Sequence, residues 1–217
     1  MRRVFNEELA EIHRDILQLG RMTNEAIYKS VKSLVNHNAE LAQEVIDKDK
    51  HINEKENKID RKCYEIIALQ QPNASDLRRV ISVMRISSDL ERMGDHAENI
   101  SKVTVRMDGE KKNLKLEQSI NQMGGKINSM CSGIIDAFLE FDVDKAIFVA
   151  KRDTEIDHIY HDLRSSIIES VREDPDAVLT ASDYSFVGMH LERIGDYIKN
   201  IGEWIVYLDT GEITDLD

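Results

Sequence analysis

Two prolines in 217 residues leave almost nothing to interrupt a helix. Cysteine is equally rare. Cys63 and Cys131 stand in no metal-type or redox-type spacing, which excludes a disulfide scaffold and a cysteine zinc site. Both fall inside apolar helical patterns and are expected to be reduced core thiols of a cytoplasmic protein. No apolar run approaches the roughly 20 residues that cross a bilayer. Arg2 and Arg3 are followed at once by Glu7 and Glu8, so no signal peptide begins here and any membrane contact is expected to go through partners. There is no basic excess: the formal net charge is -12, which argues against nucleic acid and suits cations or a basic protein surface. No G-x-x-x-x-G-K phosphate loop is present, and no Ser-His-Asp or Cys-His arrangement can be argued, so neither nucleotide binding nor an enzyme is expected. Aromatic residues make up only 6% of the chain.

What remains is charge and helix. Charged residues are 32% of the composition, as in long, surface-exposed helices. Apolar residues at three- and four-residue spacing predict six helices, over about 4–36, 39–70, 75–106, 114–140, 143–172 and 180–208. Pro72-Asn73 breaks the chain before Ser75, a suitable N-cap, and Pro175 between Asp174 and Asp176 does so before Thr180 and Ser182. Asp108-Gly109 is a turn signal between two related halves. Gly20 and Asn24 return as Gly124 and Asn128, and Asp49 and Ile52 as Asp153 and Ile156, all at a spacing of 104. The run from Leu90 to Ile100 returns as Leu191 to Ile201 at a spacing of 101, with 7 of 11 positions identical. The expected fold class is all-α: two tandem, pseudo-symmetric three-helix bundles, residues 1–109 and 110–217, built from six long antiparallel helices.

The repeated run carries the chemistry. Each copy sets two carboxylates four residues apart beside a mid-helix glycine: Glu91 and Asp95 with Gly94, then Glu192 and Asp196 with Gly195. The stripe through Leu77, Ile81 and Met84 continues at 100° per residue into Glu91 and Asp95. Ala42 and Val45 likewise lead to Asp49 and Asn53, and Ala146 and Val149 to Asp153 and Asp157. Carboxylates at i and i+4 on a solvated face are ordinary and repel by only a few tenths of a kcal/mol. Against a packing seam, an unpaired charge costs roughly several kcal/mol. Four pairs at matching places in two repeats therefore point to a hard cation, which prefers carboxylate oxygens. The candidate ligands are Asp49, Asn53, Glu91, Asp95, Asp153, Asp157, Glu192 and Asp196. The amide of Asn53 is the poorest of them. A mid-helix glycine costs about 1 kcal/mol against alanine and is tolerable where something must approach the backbone closely.

The doubled Leu-Glu-Arg-x-Gly-Asp, with Asn-Ile four residues on, resembles the signature of the PhoU family of phosphate transport regulators, over nearly the whole chain. The resemblance implies a cytoplasmic, often dimeric protein of two similar three-helix bundles that represses phosphate uptake when phosphate is plentiful. It implies contact with the phosphate-specific ABC transporter, especially its ATPase subunit, and with a phosphate-sensing histidine kinase where one exists. It also implies multinuclear clusters of iron, zinc or manganese on the eight residues named above.

A second reading is a ferritin-like di-metal oxidase or metal store, which needs Glu-x-x-His on two helices. Only Glu155-x-x-His158 fits, and its counterpart in the first half has Lys55 and no histidine. A third is a purely structural scaffold whose acidic pairs are dispensable. His51, His96, His158, His161 and His190 are not placed equivalently in the two halves and read as surface or supporting residues. Met22, Met84, Met93, Met123 and Met189 fit core packing. Trp204 and Tyr207 fit either packing at the end of the last helix or a dimer or partner contact.

Overall fold

In the computed structural model, residues 2–109 and 112–216 are described, and nearly all of them are helical. Helices α1 (Arg2–Val35), α2 (Ala39–Gln70) and α3 (Ala74–Arg106) form the first repeat. The second holds α4 (Leu114–Glu140), α5 (Val143–Ala150), α6 (Asp153–Glu173) and α7 (Val178–Thr210), with a 3-10 turn at Pro175–Ala177. No strand occurs among the described residues, and none of their helices is long and apolar enough to cross a membrane.

Short polar side chains start four of the helices. Asn38, Asn73, Asn113 and Asp142 each accept a hydrogen bond from the backbone N–H three residues on, at 2.9 to 3.2 Å. Here the structure corrects three local expectations. Asn73, not Ser75, caps α3, and the Ser75 hydroxyl donates to the same Asn73 oxygen at 2.8 Å. Thr180 and Ser182 lie inside α7, because Pro175 starts a 3-10 turn that runs straight into the helix without a side-chain cap. The expected fifth helix is interrupted at Lys151–Arg152. There the ladder tightens by one residue, Arg152 N–H donating to Val149 O and Glu155 N–H to Arg152 O. No glycine or proline marks that break.

The helices of each repeat pack on one another, and the repeats join through α1 on α4 and α3 on α7. One apolar core runs through both, from Phe5 to Ile205, and includes the fully buried Leu90, Met93, Leu191 and Ile194. Each such side chain contributes about 1.5–3 kcal/mol. The α1–α4 contact is reciprocal. A Cβ at Gly20 would lie 2.5 Å from Ile135 Cδ1, and one at Gly124 2.7 Å from Val31 Cγ1. Gly20 and Gly124 are counterparts in the repeat, as are Val31 and Ile135. Between α3 and α7 the counterparts His96 and Tyr197 face each other, with ring centroids 5.7 Å apart. Both cysteines are buried thiols, pushed by burial up to about 12.

Candidate functional site

Two acidic sets form where the middle and last helices of each repeat meet. In the first, α2 supplies Asp49 and Asn53 and α3 supplies Glu91 and Asp95. Asp49 is only 8% exposed. Its Oδ2 accepts from Asn53 Nδ2 at 3.1 Å, while its Oδ1 is buried without a hydrogen-bond partner. Asn53 Oδ1 is likewise buried and unpaired. Gly94 makes the room: a Cβ there would touch Ile52 at 3.1 Å and Asp49 Oδ1 at 3.6 Å. Burial raises the Asp49 carboxyl above its ordinary range, and Glu98 and Asp95 add to the shift. Burial also lifts Glu91 to about 7, helped by Asp95, Glu56 and Asp49. Asp95 rises for the same reasons, burial first and then Glu98.

The second set repeats the plan with tighter contacts. Asp153 is 4% exposed, and its Oδ1 has no hydrogen-bond partner. That oxygen sits against Gly195, where a Cβ would collide with it outright. Burial pushes Asp153 up to about 7, with Asp157, Asp196 and Glu192 adding to the shift and Lys199 easing it. Glu192 is raised by burial and by Asp196 and Asp157, against the pull of Arg193. The Arg193 guanidinium reaches both members of its own pair, at 3.7 Å from Asp196 and 3.9 Å from Glu192. Asp157 stands exposed at the rim.

All eight predicted residues thus fall into two groups whose members act on one another's charge. Sequence reasoning missed Glu98, Glu56 and Lys199. Glu98 lies three residues after Asp95 and seven after Glu91, on the same helical stripe. Its counterpart is Lys199, so a search for identities between the copies passed over both. Lys102 bonds Glu98 at 2.5 Å and partly offsets the first set.

As a donor set, buried carboxylate oxygens without a hydrogen-bond partner fit a hard cation. Among the described residues, however, no three His, Cys, Asp or Glu side chains already converge as a ligand shell. Asp49 and Asp153 alone do not make a complete shell. The ferritin-like motif does not contribute. Glu155 pairs with Lys126 and Arg152, and His158 is exposed with Nδ1 bonded to Thr154 O at 2.7 Å. His96 and His190 pair with each other, Nδ1 to Nδ1 at 2.8 Å. Trp204 is half-buried, with Arg85 over its ring at 5.6 Å, and so packs between α3 and α7.

The PhoU domain family matches this sequence twice, over residues 16–104 and 120–205, and each match contains one acidic set. The chain belongs to the PhoU family. It is 39% identical over 217 residues, the whole of both chains, to the phosphate-specific transport system accessory protein PhoU homolog of Streptococcus pneumoniae. A PhoU homolog of the same description from Aquifex aeolicus is 38% identical over 95% of this chain and 93% of its own. The crystal structure of PhoU from Pseudomonas aeruginosa superposes with a TM-score of 0.92 at 33% identity, covering 96% of this chain and all of that one. PhoU from Streptococcus pneumoniae gives 0.90 at 37% identity, covering 97% and 99%. The tandem all-α architecture is therefore the PhoU fold.

Proposed function

We propose that this chain is a negative regulator of phosphate uptake, a cytoplasmic metal-binding adaptor that meets the ATPase subunit of the phosphate-specific ABC transporter and, where present, a phosphate-sensing histidine kinase. Membership of the family carries the broader statement, an accessory, non-enzymatic role in phosphate transport. The partners and a homodimeric assembly rest on that resemblance. The metal reading rests on one observation: at equivalent places in two repeats, a carboxylate more than nine-tenths buried keeps an oxygen without a hydrogen-bond partner above a mid-helix glycine.

A bound cation would supply the positive charge that these oxygens lack. Asp49 and Asp153 would hold it from the α2 and α6 side, Glu91 with Asp95 and Glu192 with Asp196 from the α3 and α7 side. Drawing these helix pairs together would stiffen both bundles and fix the surface offered to the partner. Elemental analysis of protein purified without chelators, alongside co-purification with the transporter ATPase, tests the reading. The protein is expected to carry iron, zinc or manganese, and the double change Glu192→Ala with Asp196→Ala to lower its content and relieve repression. Unchanged metal content with normal repression would overturn the link.

A further inference from the structure

The two acidic sets differ in how solvent reaches them. Beside the first, a cleft of about 220 Å³ opens onto Asp49 and Gly94, walled by Met22, Ala26, Val45 and Ile52. Its charged rim is balanced: Lys29 and Lys48 both bond Glu44, at 2.8 and 2.7 Å, and Lys29 also bonds Glu25. No net positive charge therefore guards the mouth.

The same positions in the second repeat, 104 residues on, carry a different set of side chains. Met130 replaces Ala26 and is fully buried, whereas Ala26 is partly exposed. Lys126 replaces Met22 and Glu155 replaces His51, and these two pair with each other. Arg152, in place of Lys48, bonds Glu155 and reaches the Ser129 hydroxyl, both at 3.4 Å. Both seams thus carry a Lys–Glu bridge, Lys29–Glu44 between α1 and α2 and Lys126–Glu155 between α4 and α6, and the contrast lies in the buried Met130 against the partly exposed Ala26. Asp153 is also the more buried carboxylate and presses harder on its glycine than Asp49 does.

We propose that the first acidic site exchanges its cation with solvent through the Ala26 cleft, while the second retains its cation where Met130 fills the place of Ala26. The inference rests on the metal reading given above and divides its labour: the first site responds to conditions, and the second holds the fold. A change in cation supply would be felt at Asp49 before it is felt at Asp153.

Zinc release tests this. The full chain is loaded with Zn²⁺, desalted and mixed with a coloured chelator, and release is followed in time. Two phases are expected, separated by about tenfold or more in rate. Asp49→Ala should remove the fast phase and Asp153→Ala the slow one. Ala26→Met should slow the fast phase toward the slow, Ala26→Ser should leave it unchanged, and Met130→Ala should speed the slow phase. Circular dichroism checks that each variant stays folded; Ala26 is half-buried at the edge of the cleft, so its variants are not expected to unfold. A single phase, or a fast phase lost in Asp49→Ala but indifferent to Ala26→Met, overturns the exchange inference and leaves the metal reading standing. No zinc left on the wild-type chain after loading and desalting overturns both.

Discussion

Asn24 and Asn128, counterparts 104 residues apart, hydrogen-bond to each other between α1 and α4, Asn128 Nδ2 donating to Asn24 Oδ1 at 2.9 Å. The bond marks an internal two-fold relation, flanked by the reciprocal contacts of Gly20 with Ile135 and Gly124 with Val31. A residue that meets its own counterpart must lie at such an axis, since any other place would pair it with a different neighbour.

Alanine at Gly124 should therefore be costly even though it favours the helix. Its Cβ would fall 2.7 Å from Val31 Cγ1, on a β-branched side chain held in the core. Overpacking of this kind costs about 1–3 kcal/mol. Gly124→Ala should lower the urea midpoint without changing the slope. Combined with Val31→Ala, it should cost less than the two single changes added together.

Gly94 and Gly195 should part ways under the same substitution. At Gly94 the nearest atoms are two of the Ile52 side chain at 3.1 Å, which shift by a few tenths of an ångström. That cost roughly cancels the ~1 kcal/mol gained by removing a mid-helix glycine. At Gly195 the added carbon meets the carboxylate of Asp153. Thermal melts should show Gly94→Ala near neutral and Gly195→Ala clearly destabilised, and Gly195→Ala should also bind less metal.

Metal-free protein should lose stability from these groups as pH rises from about 4 to about 7. Asp153 and Glu91 are raised to about 7 in the fold, against ordinary carboxyl values near 4 in the unfolded chain. Between those values the folded state binds more protons than the unfolded one, so stability falls with rising pH, and the full penalty is present above about 7. Asp153→Asn should stabilise the metal-free chain at pH 7.5 by on the order of 1–2 kcal/mol and flatten its melting profile from pH 5 to 7.5. A profile unchanged by Asp153→Asn would refute the assignment.

Tyr184→Phe should destabilise the second repeat beside its contact with the first. Glu117, 3% exposed, accepts from the Tyr184 hydroxyl at 2.7 Å and contacts His37 Nε2 of the first repeat at the same distance. Removing the hydroxyl leaves a buried carboxylate short of a donor, a loss of about 1–3 kcal/mol. Glu117→Gln should cost less than Glu117→Ala, which also opens a cavity. Chemical denaturation of the three variants orders these losses.

Helix content was legible because Pro72, Pro175 and Asp108-Gly109 break an otherwise continuous three-four apolar pattern. The acidic sets were legible because a stripe that reads apolar through Met84 turns into Glu91 and Asp95 without leaving its face. The break at Lys151–Arg152 was not, since it is a one-residue tightening of the backbone ladder and neither residue is a helix breaker. The pairing of α1 with α4 was equally hidden: periodicity tells which side of a helix is covered, not which helix covers it. Glu98 and Lys199 escaped because the two copies differ there, and it is the difference that sets the local charge.

Since α1 rests on α4 and α3 on α7, each half spends two of its helices on the other. Duplication has here produced mutual dependence instead of a spare. A fragment ending near Gly109 would lay bare Val31, Gly20 and the rest of that seam to water, and an extra unit added in line would find neither seam free to dock on. The pair is closed, and evolution can tune its halves apart but cannot readily separate them.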